Sequence, residues 1–271
     1  MHSEGSSRPR QPSASPSPAP FRVRRAVIPS ATVAVLLLAW QLVVAAGIVP
    51  NFLLPSPTQV VVALASDAAL LADHAATTLA ESVLGLLIGC AVGFAFAVLM
   101  DRFEIVYLAF SPLITVSQTV PTVAIAPLLV LWLGYGLAPK VVLVVLTTFF
   151  PITVSLVSGF RSVDPDLIDL MRTMNATPAQ VFWQVKIPAA AEQFFSGLKI
   201  SATYAIVGAV IAEWLGGFSG LGVYMTRVRK SFAYDRMFAV IALISALSLA
   251  LMGAVSAIQR ICMPWKRAER K

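Results

Sequence analysis

The chain has 271 residues, of which 58% are hydrophobic and only 12% charged, with a mean hydropathy of +0.83. Soluble domains carry about 25% charged residues, so this composition leaves too little polar surface to coat a water-soluble globule. The net charge of +7 is concentrated at the two ends and forms no basic stripe interleaved with aromatics, which excludes a nucleic-acid-binding surface. At about 20 residues per span, the apolar stretches supply roughly six helices, an all-α membrane protein.

Residues 1–25, rich in Ser, Pro and Arg, read as a disordered basic cytoplasmic tail. The run 26–48 reads as an uncleaved first transmembrane helix, with Pro29 in its first turn, where a missing N–H costs little. Residues 49–76 form an external connection punctuated by Pro50, Pro55 and Pro57, with an amphipathic interfacial helix near 58–71. A transmembrane core, 77–260, follows. Its first helix, the second span at 77–100, carries Gly85, Gly89 and Gly93 at a spacing that suits close helix packing. The third span, 105–133, holds Pro112, Pro121 and Pro127 and should be kinked or broken. Irregular backbone at membrane depth needs cover from protein or a water-filled cavity, which makes this span a wall of a pathway. Ser117, Gln118, Thr119 and Thr122 cluster there, either lining that pathway or bonding neighbouring helices. Further spans fall at 139–160, 198–216 and 237–259. Ser219–Gly222 reads as a tight turn after the fifth, and 261–271 as a basic cytoplasmic tail. With both termini in the cytoplasm, fifteen of the twenty Lys and Arg lie inside, as the positive-inside rule requires. The outer set is Lys140, Arg227, Arg229, Lys230 and Arg236.

The long inner loop, 161–197, carries helix signals of its own. Asp164 is an N-cap, Pro165 suits the first turn, and Asp166 complements the helix dipole. Leu167, Ile168, Met171 and Met174 form an apolar stripe, and Asn175 suits a left-handed terminus. Thr177 and Pro178 restart a short helix bearing Val181, Phe182, Trp183 and Val185, which should end before Ile187 and Pro188. Two capped helices with aromatics facing water make either a docking element or a hairpin folded back on its own membrane domain.

This loop resembles the signature segment of binding-protein-dependent ABC importer permeases. That pattern runs Glu-Ala-Ala, three residues, Gly, nine residues, Ile, one residue, Leu-Pro. Here Asp169-Leu170-Met171, Asn175, Val185, Ile187 and Pro188 keep every spacing while changing most identities. The similarity extends over roughly 75–260. Within it Pro121–Gly136, Ala212–Gly217 and Ser219–Gly222 resemble the nitrate, sulfonate and taurine branch. Arg227–Tyr234 is similar to permeases for the pyrimidine precursor of thiamine. The resemblance implies a type I importer permease fold, N-in and C-in, in the bacterial inner membrane. It also implies a homodimer that works with two cytoplasmic ATPase subunits and an external solute-binding protein, surrounded by lipid. The implied ATPase-coupling surface is Asp169, Arg172, Asn175, Ala176, Thr177, Phe182, Trp183 and Pro188. Phe182 would enter the ATPase cleft, with Trp183 as a second anchor or a contact to its own domain.

No glycine-rich phosphate loop followed by Lys-Ser/Thr occurs, so energy must come from a separate ATPase and no cofactor is expected. His2 and His74 make no metal site, Cys90 and Cys262 make no disulfide framework, and no nucleophile turn points to an enzyme. Glu81, near a span entrance, reads as an interfacial charge or as an interior-facing carboxylate. Glu213 joins the substrate-path candidates as an outward gate; its alternatives are an interfacial charge or a structural partner of Arg227 or Arg229. Arg227, Arg229 and Lys230 run against the charge bias and suit acidic patches on the binding protein. An ion-coupled secondary transporter is the rival reading, but it needs coupling carboxylates or an inverted repeat.

Overall fold

A computed structural model describes residues 20–264, all of its regular elements helical; residues 1–19 and 265–271, most of the two basic tails, lie outside them. Helix α1 (Pro20–Ala45) begins inside the expected tail, so Pro29 lies within it and not in its first turn. It leans on the rest of the molecule through Trp40, whose ring lies 5.9 Å from that of Phe238.

Helix α2 (Pro57–Ser66) opens on a capping box, with the Gln59 amide donating to Ser56 Oγ and the Ser56 amide donating to Gln59 Oε1. The expected interfacial helix ends earlier than predicted because Asp67 interrupts it. α3 (Ala68–Arg102) then runs on without a break. The Tyr224 hydroxyl donates to Asp67 Oδ2 at 2.6 Å, and Arg236 Nε lies 3.3 Å from the same oxygen, so the interruption is pinned from both other sides. Burial and the neighbouring Asp67 carboxylate hold the Tyr224 phenol above its usual range. At 35 residues and 1.5 Å each, α3 is about 52 Å long, well beyond the ~30 Å hydrocarbon core.

The predicted third span is broken at Pro121, while Pro112 and Pro127 are carried inside the flanking helices. Helices α4 (Glu104–Ser117) and α5 (Thr122–Leu133) meet at 99° across Gln118–Pro121. α6 (Leu137–Arg161) is the central helix, packed against α3 on one side and the long helix α9 (Ile187–Gly216) on another. The close α3–α6 approach depends on the glycine stripe. A Cβ at Gly85 would strike Val144, one at Gly89 would strike Thr148, and one at Gly93 would crowd Ile152 and Thr153. Leu143, Ile152, Leu156 and Phe160 of α6 and Ile206 of α9 are fully buried. Helices α10 (Leu221–Lys230) and α11 (Tyr234–Cys262) complete the bundle.

Five stretches among the described residues are long and apolar enough to cross a membrane: Val27–Ala45, Ala68–Arg102, Leu137–Arg161, Pro178–Gly216 and Tyr234–Cys262. The bent α4–α5 pair supplies a sixth. The short helices α7 (Pro165–Thr173) and α8 (Pro178–Val181) mark the inner end of the bundle, and α10 marks the outer end.

Candidate functional site

At the inner end, local chemistry sets the course of the chain from 164 to 186. Asp164 Oδ1 accepts from the Asp166 amide at 3.0 Å, and Pro165 occupies the first turn of α7. The helix closes through two bonds, from the Asn175 amide to the Arg172 carbonyl and from the Ala176 amide to the Met171 carbonyl. With Asn175 at φ 60°, this is a Schellman terminus. Thr177 then caps α8 in a second capping box, exchanging bonds with Gln180. No residue of α7 is buried, and its apolar Leu170 and the Met174 that follows it are exposed.

The expected stop before Pro188 is absent. α8 passes through a π turn, Phe182–Lys186, directly into α9, with the Ile187 amide bonding to the Phe182 carbonyl. In a regular α-helix the Pro188 ring would crowd the carbonyl four residues back; the wider turn relieves that clash and lets the helix continue. The turn leaves the two aromatic rings in edge-to-face contact, 5.5 Å apart, but in different surroundings. Phe182 is half-buried, 5.5 Å from the Phe160 ring, whereas Trp183 is 64% exposed. Phe182 thus packs on its own domain, and Trp183 is the more exposed of the two rings. Lys186 Nζ bonds both oxygens of Asp101 at 2.7 and 2.9 Å, tying this segment to the end of α3. A groove of about 710 Å³ runs along it, lined by Asp101, Arg102, Ile168, Arg172, Thr177 and Trp183 among others.

At the outer end, Glu213 is 1% exposed and both of its oxygens are taken. Thr78 Oγ1 donates to Oε1 at 2.7 Å and the Gly222 amide to Oε2 at 2.6 Å. The Leu221 amide donates to Thr78 Oγ1, and the Gly220 amide to His74 Nδ1, so the loop after α9 is folded down onto α3. Gly220 sits at φ +117°, and a Cβ there would fall on the Glu213 carboxylate. Beside it Lys140 Nζ and Glu81 Oε1 form an ion pair of 2.6 Å whose side chains are 5% and 4% exposed. Two sequence-based assignments are corrected here. Glu81 is no interfacial charge, and Lys140 no outer-loop charge; a carboxylate at this depth requires a partner. Nor does Glu213 pair with Arg227 or Arg229: Arg227 Nη2 donates to the Phe218 carbonyl.

The remaining selected residues lie apart from this cluster. Ser117 and Gln118 bond back to the Ile114 carbonyl and Thr119 to that of Val116, while Thr122 opens α5. Glu213 shares no hydrogen bond with any of these four among the described residues. Arg227, Arg229 and Lys230 are exposed along α10, whose other face buries Leu221, Val223, Tyr224 and Val228.

Residues 85–262 match the family described as the binding-protein-dependent transport system inner membrane component. The chain belongs to this family. It is a multi-pass inner-membrane permease of the ABC transporter class. It is 39% identical over 227 residues to a probable ABC transporter permease protein of Haemophilus influenzae, covering 84% of this chain and 93% of that one. It is 35% identical to the formylaminopyrimidine transport permease protein ThiX of Halalkalibacterium halodurans, covering 92% and 99%. Among solved structures, the MetNI methionine ABC transporter in an inward-facing conformation shares the fold, with a TM-score of 0.63 and 20% identity over 71% of this chain and 95% of that one.

Sequence reasoning about the permease found the inner segment because its caps are local. It did not foresee the partnerships of Asp101, Thr78, His74 and Lys140. Their partners lie 85, 135, 146 and 59 residues away, and no motif spacing joins them. The usable signal was physical: each charge inside an apolar run demands an opposite or hydrogen-bonding partner.

Proposed function

We propose that the permease forms, as a pair of identical chains, the membrane path of an ATP-driven importer for a small polar organic solute. Two cytoplasmic ATPase subunits would bind the 164–186 segment, with Asp169, Arg172, Asn175, Ala176, Thr177, Trp183 and Pro188 shaping the contact and Phe182 buttressing it from behind. An external binding protein would deliver the solute and dock on Arg227, Arg229 and Lys230. Formylaminopyrimidine, the solute in the ThiX relative's name, and the sulfonates of the resembling branch define the range of solute chemistry. The gating candidates are the polar break at Ser117–Thr122 and the Glu213 cluster.

The observation that carries this reading is Trp183, an exposed indole on an element stiffened by a Schellman terminus and a capping box. Trp183 belongs to the same segment as the exposed Leu170 and Met174, and aromatic rings that become buried as anchors are the usual hot spots of interfaces. Trp183→Ala should weaken ATPase association by about 30-fold, corresponding to about 2 kcal/mol. Phe182→Ala should instead lower the melting temperature of the permease alone. Co-purification of the tagged ATPase, normalised to permease in the membrane, measures the first effect. Full ATPase recovery with Trp183→Ala would show that this segment is a hairpin folded on its own domain.

A further inference from the structure

Between α4 and α6, towards the inner end, lies a cleft of about 480 Å³ lined by Tyr107, Ser111, Thr115, Ser158 and Arg161 among others. Tyr107, Ser111 and Thr115 recur every fourth residue and so share one face of α4. Thr115 closes onto its own helix at the Ser111 carbonyl, but the Ser111 and Ser158 hydroxyls have no hydrogen-bond partner among the described residues. A hydroxyl facing hydrocarbon ordinarily bonds back to its own helix. Two open hydroxyls on facing helices give this space polar walls that suit water or a polar guest. Arg161 stands at the inner mouth. Its Nη2 donates to both oxygens of Glu104 at 2.9 Å, and its guanidinium carbon lies 3.5 Å from the Tyr107 ring centroid. Nε and Nη1 have no acceptor among the described residues. The ion pair joins the first residue of α4 to the last of α6, and its side chains are 38% and 64% exposed, so Glu104 exchanges readily with water.

We propose that this cleft is an inner station on the solute path, where the oxyanion of a small sulfonate or carboxylate replaces Glu104 on Arg161. The inference rests on the permease reading above and adds a solute class to it. A guanidinium presents a planar fork that fits two oxygens of one oxyanion. Tyr107 holds that fork flat from one side, and Ser111 and Ser158 supply donors for the rest of the headgroup. Glu104 is the stopper: it neutralises Arg161 when the station is empty and turns to water when a solute arrives. The Glu213 cluster has no such capacity, since its carboxylate is 1% exposed and cannot turn to water as Glu104 does.

The test uses the full chain carrying Cys90→Ala and Cys262→Ser, in phosphatidylcholine nanodiscs, with a single cysteine introduced as Ser111→Cys or Ser158→Cys. Modification rates are measured with sulfonatoethyl methanethiosulfonate and with its trimethylammonium counterpart. Both cysteines should react, and the anionic-to-cationic rate ratio should be about tenfold higher with Arg161 present than in Arg161→Gln, since a local cation concentrates anions. Glu104→Gln should raise the ratio further, and millimolar ethanesulfonate should slow the reaction. Leu108→Cys, on an exposed part of α4 outside the cleft, should stay unreactive. Unreactive cysteines at 111 and 158, or a ratio indifferent to Arg161, would overturn the proposal. So would protection seen only when phosphatidylglycerol enters the disc, because the ligand would then be a lipid headgroup. ATPase co-purification reports separately on the permease reading, so a dry cleft in a chain that still binds its ATPase sinks the station alone.

Discussion

The hydrogen-bond inventory around Glu213 sets what each substitution there leaves behind. Thr78 Oγ1 has one proton and two lone pairs, and three further groups in reach: the Leu221 amide, Glu213 Oε1 and the His74 carbonyl. Glu213→Gln keeps this set satisfied. Its carbonyl accepts from the Gly222 amide and its NH₂ donates to Thr78, whose own proton turns to the His74 carbonyl. Glu213→Ala instead strands the Gly222 amide in a buried site, at about 1–3 kcal/mol for each group left unpaired. Gly220→Ala meets a double obstacle, a positive φ and a Cβ placed on the carboxylate. Thermal unfolding of the purified permease should therefore leave Glu213→Gln close to the parent, with Glu213→Ala and Gly220→Ala several degrees lower. A Gly220→Ala protein melting with the parent would mean that the loop is not clamped on Glu213. From sequence, Glu213 stood out as a carboxylate in an apolar run. That it ties a glycine loop to α3 was not legible, because the ties cross more than a hundred residues.

Elements were legible to the degree that their ends are determined locally. Asp164-Pro165, Asn175 and Thr177-Pro178 act within three or four residues, and each delivers the cap its chemistry requires. The proline-broken third span follows from the same kind of signal. Boundaries failed where a distant contact outweighed local preference. Pro188 reads as a stop, yet α9 packs along α6 and the π turn absorbs the proline. Asp67, bound by Tyr224 and Arg236, splits a run that alternation alone leaves continuous. The Lys186–Asp101 pair is of this second kind: it holds the start of the long helix against α3, with side chains only 21% and 11% exposed. Asp101→Asn and Lys186→Gln should each reduce ATPase stimulation by solute. Their double-mutant cycle should show a coupling of about 0.5–3 kcal/mol in unfolding free energy. Strict additivity would reduce the pair to a surface contact of no structural weight.

At the scale of the whole molecule, the inner segment and the outer cluster are the two ends of one element. Pro178–Gly216 runs 39 residues without a non-helical break, and the 30 residues from Trp183 to Glu213 span about 45 Å at 1.5 Å each. That exceeds the ~30 Å hydrocarbon core, so a displacement at the proposed ATPase face would arrive at the outer face as movement of a single rod. The Glu213 cluster decides what the rod moves there, since it fastens the rod to α3 and to the loop that leads into α10. Packed interfaces of this kind switch between arrangements instead of deforming smoothly, and a coupling claim needs a two-state element that both ends bias. Thr78→Val tests this at a distance. It removes the hydroxyl shared by Glu213 and the Leu221 amide while keeping the side-chain volume, loosening the outer fastening without touching the ATPase face. In the reconstituted complex, ATPase co-purification should stay at the parent level. Basal ATP hydrolysis should rise, and its stimulation by loaded binding protein should fall, because the ATPase subunits no longer work against a closed outer end. Trp183→Ala should show the opposite pattern, with association lost and the hydrolysis of whatever complex survives still stimulated. If Thr78→Val lowers association as much as Trp183→Ala does, the two ends are not separable and the rod transmits global instability, not a specific movement. If it changes neither hydrolysis nor stimulation, the outer cluster is a static clamp and the gate lies at the Ser117–Thr122 break.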